Sequence, residues 1–85
     1  MGLVNVVVPP ERVMPVAEEY AHTIAANGPL AVRKIKEAVL RMMGLPPQEA
    51  FAIEGALAAE VFASEDAKEG PRAFQEKRPA RFLGR

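Results

Sequence analysis

The sequence contains no cysteine, no tryptophan and a single histidine, His22. A disulfide is therefore excluded, and a protein-bound metal ion has few of the ligands that it usually takes. Disulfides and metal ions commonly supplement the thin core of a small domain, which near this size buries only about 60% of the surface that its unfolded chain exposes. The remaining supplement is association with other protein.

Net charge and long apolar runs are also lacking. The 85 residues carry 11 basic and 11 acidic side chains, so no long-range field attracts nucleic acid or an anionic membrane surface. No apolar run approaches the roughly 18 residues of a membrane-spanning helix, and the first ten residues lack the basic start of a secretory signal. We expect a cytoplasmic chain whose partners include neither nucleic acid nor a membrane.

Residues 1–9 predict an extended segment. Leu3 to Val8 is rich in β-branched residues and is closed by Pro9 and Pro10, which cannot continue a strand ladder. A strand without a partner in its own sequence requires a sheet outside these 85 residues. We interpret residues 1–9 as the end of a core strand or a linker, and residues 10–85 as a helical domain.

Three helices are predicted between residue 11 and residue 62, because apolar residues recur there at helical spacing. Asn27-Gly28 predicts a left-handed stop for the first helix, and Gly44 ends the second. Pro46-Pro47 opens the third, whose apolar residues occupy a wide arc. Such an arc implies that the third helix is buried on two sides.

The remaining residues predict a capped and interrupted helical end. Ser64 offers an N-cap ahead of two acidic residues. Gly70-Pro71 predicts a break, giving one short turn and then a last helix near residues 71–77. The predicted fold class is all-α, with about four helices preceded by a short extended segment.

No catalytic constellation is evident in the sequence. Glu54 and Glu60 stand six positions apart, so they point to different sides of a helix, and no histidine or nucleophile lies near them. His22 is alone, and a lone histidine in a helix is more often structural or exposed than a ligand or a base. The second helix carries basic residues that we interpret as a solvated face: Arg33, Lys34 and Arg41. We predict no catalytic residue and no metal site.

Residues 64–85 carry the most specific motif, SEDAKEGPRAFQEKRPARFLGR. The segment resembles the C-terminal end of the enoyl-CoA hydratase/isomerase family, of the crotonase superfamily, in which an S/T-x-D-x-x-E-G turn leads into A-F-x-E-K-R-x-P-x-F-x-G. Residues 2–9 are similar to the family's final core strand, and residues 27–39 to its helix after an N-x-P-x-A turn. Pro71 and Pro79-Ala80 depart from the family's pattern.

The resemblance implies a role within a larger enzyme. In that family a larger N-terminal domain supplies the oxyanion hole and the carboxylates that handle protons and water. The helical C-terminal part covers the acyl pocket, builds a trimer interface, and contributes an aromatic and a basic residue to the coenzyme A site. Phe74 and Lys77 match those two positions, and their spacing of three would place them on one side of a helix. The alternative is that Phe74 is a core anchor and Lys77 a solvated charge.

Two arginines near these positions also allow two interpretations. Arg78 and Arg81 either support the same phosphate of coenzyme A or pair with the carboxylates Glu76 and Asp66. We favour pairing at the surface, which contributes only about 0–1 kcal/mol.

We therefore expect the C-terminal helical part of an enzyme of fatty acid metabolism that hydrates or isomerises enoyl-CoA thioesters. Without the family's N-terminal core it is expected to be inactive. No resident cofactor is expected, because coenzyme A belongs to the thioester substrate. The expected partners are further copies of the chain, in a trimer-based assembly, and that N-terminal core. A competing hypothesis is a non-catalytic helical module that associates with itself.

Overall fold

The computed structural model describes residues 2–85 and contains four α-helices. A 3-10 turn at Pro10–Arg12 leads into α1, and the helices are α1 (Val13–Ala25), α2 (Pro29–Met42), α3 (Pro47–Phe62) and α4 (Glu65–Gln75). No strand occurs in residues 2–85. The predicted all-α class is confirmed. That residues 1–9 end a sheet formed with other protein stays a prediction, since a strand needs a partner to form a ladder.

Proline and glycine explain most helix boundaries. Pro29 and Pro47 are the first residues of α2 and α3, where the missing N–H has no intrahelical acceptor to lose. Pro15 is the third residue of α1 and is tolerated for the same reason. Gly44 follows α2 with a φ of +77°, the left-handed conformation that glycine adopts without steric cost.

The predicted left-handed stop at Asn27-Gly28 is wrong. Gly28 has a φ of −60° and is the N-cap residue of α2, and positive φ values among non-glycine residues of the described chain occur only at Lys77. The end of α1 is instead stabilised by the Asn27 side chain, whose Nδ2 donates to the carbonyl of Thr23 at 2.8 Å. A side-chain donor thus satisfies a carbonyl that would otherwise lack a partner.

The predicted break at Gly70-Pro71 is also wrong, because α4 runs through both residues. A proline ring normally clashes with the residue before it and removes one helical hydrogen bond. Gly70 has no Cβ, so the clash with the preceding side chain is absent. Capping at the start supports the helix: Ser64 Oγ accepts from the Ala67 N–H at 3.2 Å, as the N-cap prediction requires.

The core of the described chain is small. α2 and α3 are joined by residues 43–46 and pack against each other around Ala38 and Leu57, which is 4% exposed. Ala73 anchors α4, whereas α1 contains no buried residue. Within this chain α3 is buried on one side, and Phe51 and Phe62 are exposed. That other protein buries the second side of α3 stays a prediction.

The shape of the chain is open. Its radius of gyration is 16.3 Å, compared with about 12 Å for a compact domain of this length. Its accessible surface is 7102 Å², whereas a compact protein of this mass exposes about 4,900 Å². No helix in the described part of the chain is long and apolar enough to cross a membrane.

Candidate functional site

Phe74 lies in the last turn of α4 and is 86% exposed. The residue before it, Ala73, is 2% exposed and faces the rest of the chain. Because the inward position is taken by alanine, the phenyl ring is presented outward. The alternative in which Phe74 anchors the core of this chain is therefore wrong. The exposed ring is available to a ligand or to another protein surface.

Lys77 lies beyond the helix rather than on it. The C-cap residue of α4 is Glu76, and Lys77 follows in the left-handed conformation with a φ of +52°. Its N–H donates to the Phe74 carbonyl at 3.2 Å, and the next N–H, of Arg78, donates to the Ala73 carbonyl at 3.0 Å. This pair of bonds defines a Schellman ending. The expectation that a helix presents Phe74 and Lys77 on one side is therefore wrong, because Lys77 lies in the turn that follows the helix.

Arg78 is held by two carboxylates. Its guanidinium donates to both oxygens of Glu69, at 2.6 and 3.1 Å, and its Nε donates to Glu76 at 2.5 Å. The predicted pairing of Arg78 with Glu76 is found, and Glu69 is an additional partner. These carboxylates raise the pKa of Arg78, Glu69 being the larger cause. Two parallel hydrogen bonds between a guanidinium and a carboxylate restrain the relative orientation of the two groups, in addition to their electrostatic attraction.

Glu69 also binds the main chain. The Arg81 N–H donates to Glu69 Oε1 at 2.9 Å. The hydrogen bonds from Arg78 first, and then from the Arg81 amide, lower the pKa of Glu69 to about 2. Glu69 is therefore ionised throughout the neutral and mildly acidic range.

Asp66 is buried and accepts two further main-chain hydrogen bonds. Its two carboxylate oxygens accept from the N–H groups of Leu83 and Gly84, both at 2.7 Å. The Asp66 N–H in turn donates to the Arg85 carbonyl at 2.9 Å. The expected pairing of Asp66 with an arginine side chain is wrong. We call residues 78–85 the C-terminal strap, because Asp66 and Glu69 hold these residues against α4.

The C-terminal strap also reaches the start of α2. A Cβ at Gly28 would lie 3.7 Å from Phe82 Cδ1, so the Phe82 ring covers Gly28. Arg33 Nη2 donates to the Gly84 carbonyl at 3.3 Å. The strap therefore contacts both α4 and α2, and Arg33 is not simply solvated.

The remaining charged candidates form ion pairs that are partly exposed. Lys34 contacts Glu60 at 2.7 Å and Glu37 at 3.4 Å, and Arg41 contacts Glu37 at 3.1 Å. The hydrogen bond that Lys34 donates to Glu60 is the largest cause of the raised pKa of Lys34. The hydrogen bond that Glu37 accepts from Arg41 is the largest cause of the lowered pKa of Glu37. Glu60 thus forms an ion pair with Lys34.

Reasoning from spacing alone missed Asp66 and Glu69 as acceptors for the C-terminal strap. Both residues belong to the S-x-D-x-x-E-G motif of residues 64–70, and a separation of three places them on one side of α4. That spacing was the available indication that the two carboxylates act together.

The helical fold and the motif of residues 64–85 define a part of a crotonase-type enzyme. A family profile described as enoyl-CoA hydratase/isomerase matches residues 1–85. The chain belongs to the enoyl-CoA hydratase/isomerase family and corresponds to a C-terminal portion of its members.

Individual relatives agree with this assignment. The chain is 47% identical to the enoyl-CoA hydratase EchA19 of Mycobacterium tuberculosis over 85 residues, which are all of this chain and 32% of the relative. It is 41% identical to the crotonyl-CoA hydratase of Syntrophomonas wolfei over 85 residues, again all of this chain and 33% of the relative. The crystal structure of an enoyl-CoA hydratase from M. tuberculosis superposes with a TM-score of 0.90 at 42% identity, over 99% of this chain and 33% of that chain. The chain thus spans about a third of the length of these proteins.

Proposed function

We propose that these 85 residues form the association, cover and coenzyme-contacting part of an enzyme that hydrates or isomerises enoyl-CoA thioesters. The full-length match to the family supports the parent activity. The backbone donors of the oxyanion hole and the carboxylates that move protons come from the family's N-terminal core, so the chain by itself is inactive. Stabilisation of the thioester enolate by such donors is the step that the core would supply.

The observation that carries the proposal is the exposed Phe74 ring at the end of α4, followed by Lys77 in a defined turn. An exposed phenyl ring offers a flat apolar surface to an adenine base, and an ammonium group is a compact partner for a phosphate. Lys77 also lies at the C-terminal end of α4, where a cation is favoured by the helix dipole. Coenzyme A contains both adenine and phosphate groups.

Open apolar surface supports the association role. A groove of about 270 Å³ runs between α2 and α3, and its lining includes Ile35, Val39 and Phe62. These three side chains are each more than half exposed in this chain. Exposed apolar side chains that lie together in a groove commonly mark a contact with other protein. We propose that copies of the chain and the N-terminal core cover it.

A chimera tests the proposed activity. The C-terminal third of the crotonyl-CoA hydratase of S. wolfei, which is 41% identical to this chain, would be replaced by these 85 residues. We expect the chimera to hydrate crotonyl-CoA and the 85-residue chain alone to show no turnover. A folded but inactive chimera, or turnover by the chain alone, would contradict the proposal.

The same chimera tests the coenzyme-contacting residues. We expect Phe74→Ala and Lys77→Ala each to raise KM for crotonyl-CoA by roughly tenfold, since loss of about 1.4 kcal/mol of binding corresponds to a factor of ten. Lys68→Ala is the matched control, because Lys68 is an exposed lysine on the same helix. Equal KM values in all three variants would remove Phe74 and Lys77 from the site.

A further inference from the structure

We infer that Asp66 and Glu69 are positioning residues that fix the left-handed turn at Lys77 by tying the C-terminal strap back onto α4. The inference deepens the proposed function, because it rests on Lys77 being a coenzyme-contacting residue. Neither carboxylate is proposed to touch the coenzyme. Their action is exerted through the main chain that follows Lys77.

Lys77 needs such support because its backbone conformation is unfavourable for its residue type. The residue after the C-cap of a Schellman ending is usually glycine, since a Cβ is crowded at positive φ. Here that residue is a lysine with a φ of +52°. Interactions outside the turn must therefore favour the left-handed conformation over the alternatives open to a lysine.

Glu69 provides the nearer of the two attachments. It binds the guanidinium of Arg78, the residue directly after Lys77, through two hydrogen bonds. It also accepts from the N–H of Arg81 at 2.9 Å. These contacts require the chain to reverse direction immediately after α4 and to run back along the helix. The left-handed turn at Lys77 produces that reversal.

Asp66 provides the second attachment, one turn closer to the start of α4. It accepts from Leu83 and Gly84 at 2.7 Å, and its own N–H donates to Arg85. Asp66 is 7% exposed, so water competes poorly for these bonds. Two attachment points separated along the strap fix its direction as well as its position. A strap fixed in this way leaves the turn at Lys77 little freedom to change.

The test is made by NMR on the 85-residue chain, without coenzyme A. A residue at positive φ has a short distance between its own amide proton and α-proton, which gives a strong cross-peak between them. Variants Glu69→Gln and Asp66→Ala/Glu69→Gln would be compared with Glu65→Gln, which removes from the same helix a carboxylate whose ion pair with Arg85, at the end of the strap, is exposed. Cross-peaks within α4 report separately whether the helix remains folded.

We expect the strong cross-peak of Lys77 to weaken in Glu69→Gln and to be lost in the double variant, while Glu65→Gln keeps it. Once untied, the left-handed conformation should become roughly tenfold less populated than the right-handed one. Adding Lys77→Gly to Glu69→Gln should restore the turn, because glycine adopts it without support. Since one of the two α-protons of glycine is close to its amide proton at either sign of φ, restoration is read instead from slowed exchange of the Arg78 amide, which donates to the Ala73 carbonyl in the turn. A purely stabilising role for Glu69 would not be reversed by this change at residue 77.

Retention of the left-handed Lys77 in both Glu69→Gln and the double variant would overturn the inference. Loss of the turn in Glu69→Gln that Lys77→Gly does not restore would also overturn it. Neither result depends on coenzyme A. If Lys77→Ala leaves the KM of the chimera unchanged, the proposed coenzyme role fails, whatever the NMR experiment shows about the strap.

Discussion

Asp66→Ala is the substitution with the largest expected effect at the C-terminal strap. It removes a buried carboxylate that accepts two main-chain hydrogen bonds of 2.7 Å. A hydrogen bond to a charged group contributes about 1.5–3 kcal/mol. If the strap detaches, water can hydrate the two amides, so each bond should contribute near the lower limit of this range. For two bonds, we expect the free energy of unfolding to fall by about 3 kcal/mol.

Urea unfolding followed by circular dichroism measures this loss. The matched control is Glu65→Ala, which removes the neighbouring carboxylate of the same helical turn. The Glu65 carboxylate forms an ion pair with Arg85 at 3.2 Å, and both side chains are more than 60% exposed. Exposed pairs of this kind contribute less than about 1 kcal/mol. Equal midpoints for Asp66→Ala and Glu65→Ala would refute the reasoning.

Three further predictions concern pH, the core and the N-cap. The pKa of Glu69 is lowered to about 2, so its contribution to stability is complete above the ordinary value of 4.5 and is lost as the pH falls towards 2. An acid titration of the Arg81 amide shift by NMR checks this, and a midpoint near 4.5 would contradict it. Leu57→Ala, at the contact of α2 with α3, should lower the free energy of unfolding by about 2–3 kcal/mol, whereas the exposed Leu40→Ala should change it by less than about 0.5 kcal/mol. Urea midpoints compare the two, and equal effects would argue against the packing described. Ser64→Ala should cost about 1 kcal/mol through loss of the cap, also by urea unfolding, and Ser64→Asp should retain most of the stability.

The positions of the helices could be predicted from the sequence because the residues that start and end a helix act locally. Pro29, Pro47 and Ser64 act on their own helical turns, through a fixed φ or a side-chain acceptor. The break predicted at Gly70-Pro71 failed because the effect of a proline depends on its neighbours. With glycine before it and a cap at each end of α4, the cost of the proline is tolerated.

No regular structure was predicted from the sequence for the C-terminal strap. Its order comes from hydrogen bonds between side chains in α4 and amides that are 12 to 18 residues away in sequence. Main-chain amides are chemically the same at every non-proline residue. The sequence therefore does not show which of them donate to side chains in α4. Only the paired carboxylates, Asp66 and Glu69, indicated that such partners are required.

The two candidate site residues illustrate the same limit. The family motif identified Phe74 and Lys77, and their relation to α4 required the structure. A helix extended to residue 77 would have aligned them, but the helix ends at Gln75 and Lys77 turns away from it. Whether a residue is exposed depends on which neighbour fills the inward position, and here that neighbour is Ala73.

Association through the groove between α2 and α3 is tested most directly by equilibrium sedimentation of the 85-residue chain. We expect a dimer or trimer, because the chain exposes 7102 Å² of surface and leaves that groove uncovered. Ile35→Glu should dissociate it, and Lys36→Glu, a charge change at the neighbouring exposed residue, should not. A chain that remains a folded monomer at the highest soluble concentration would contradict the proposal that copies of the chain cover these faces.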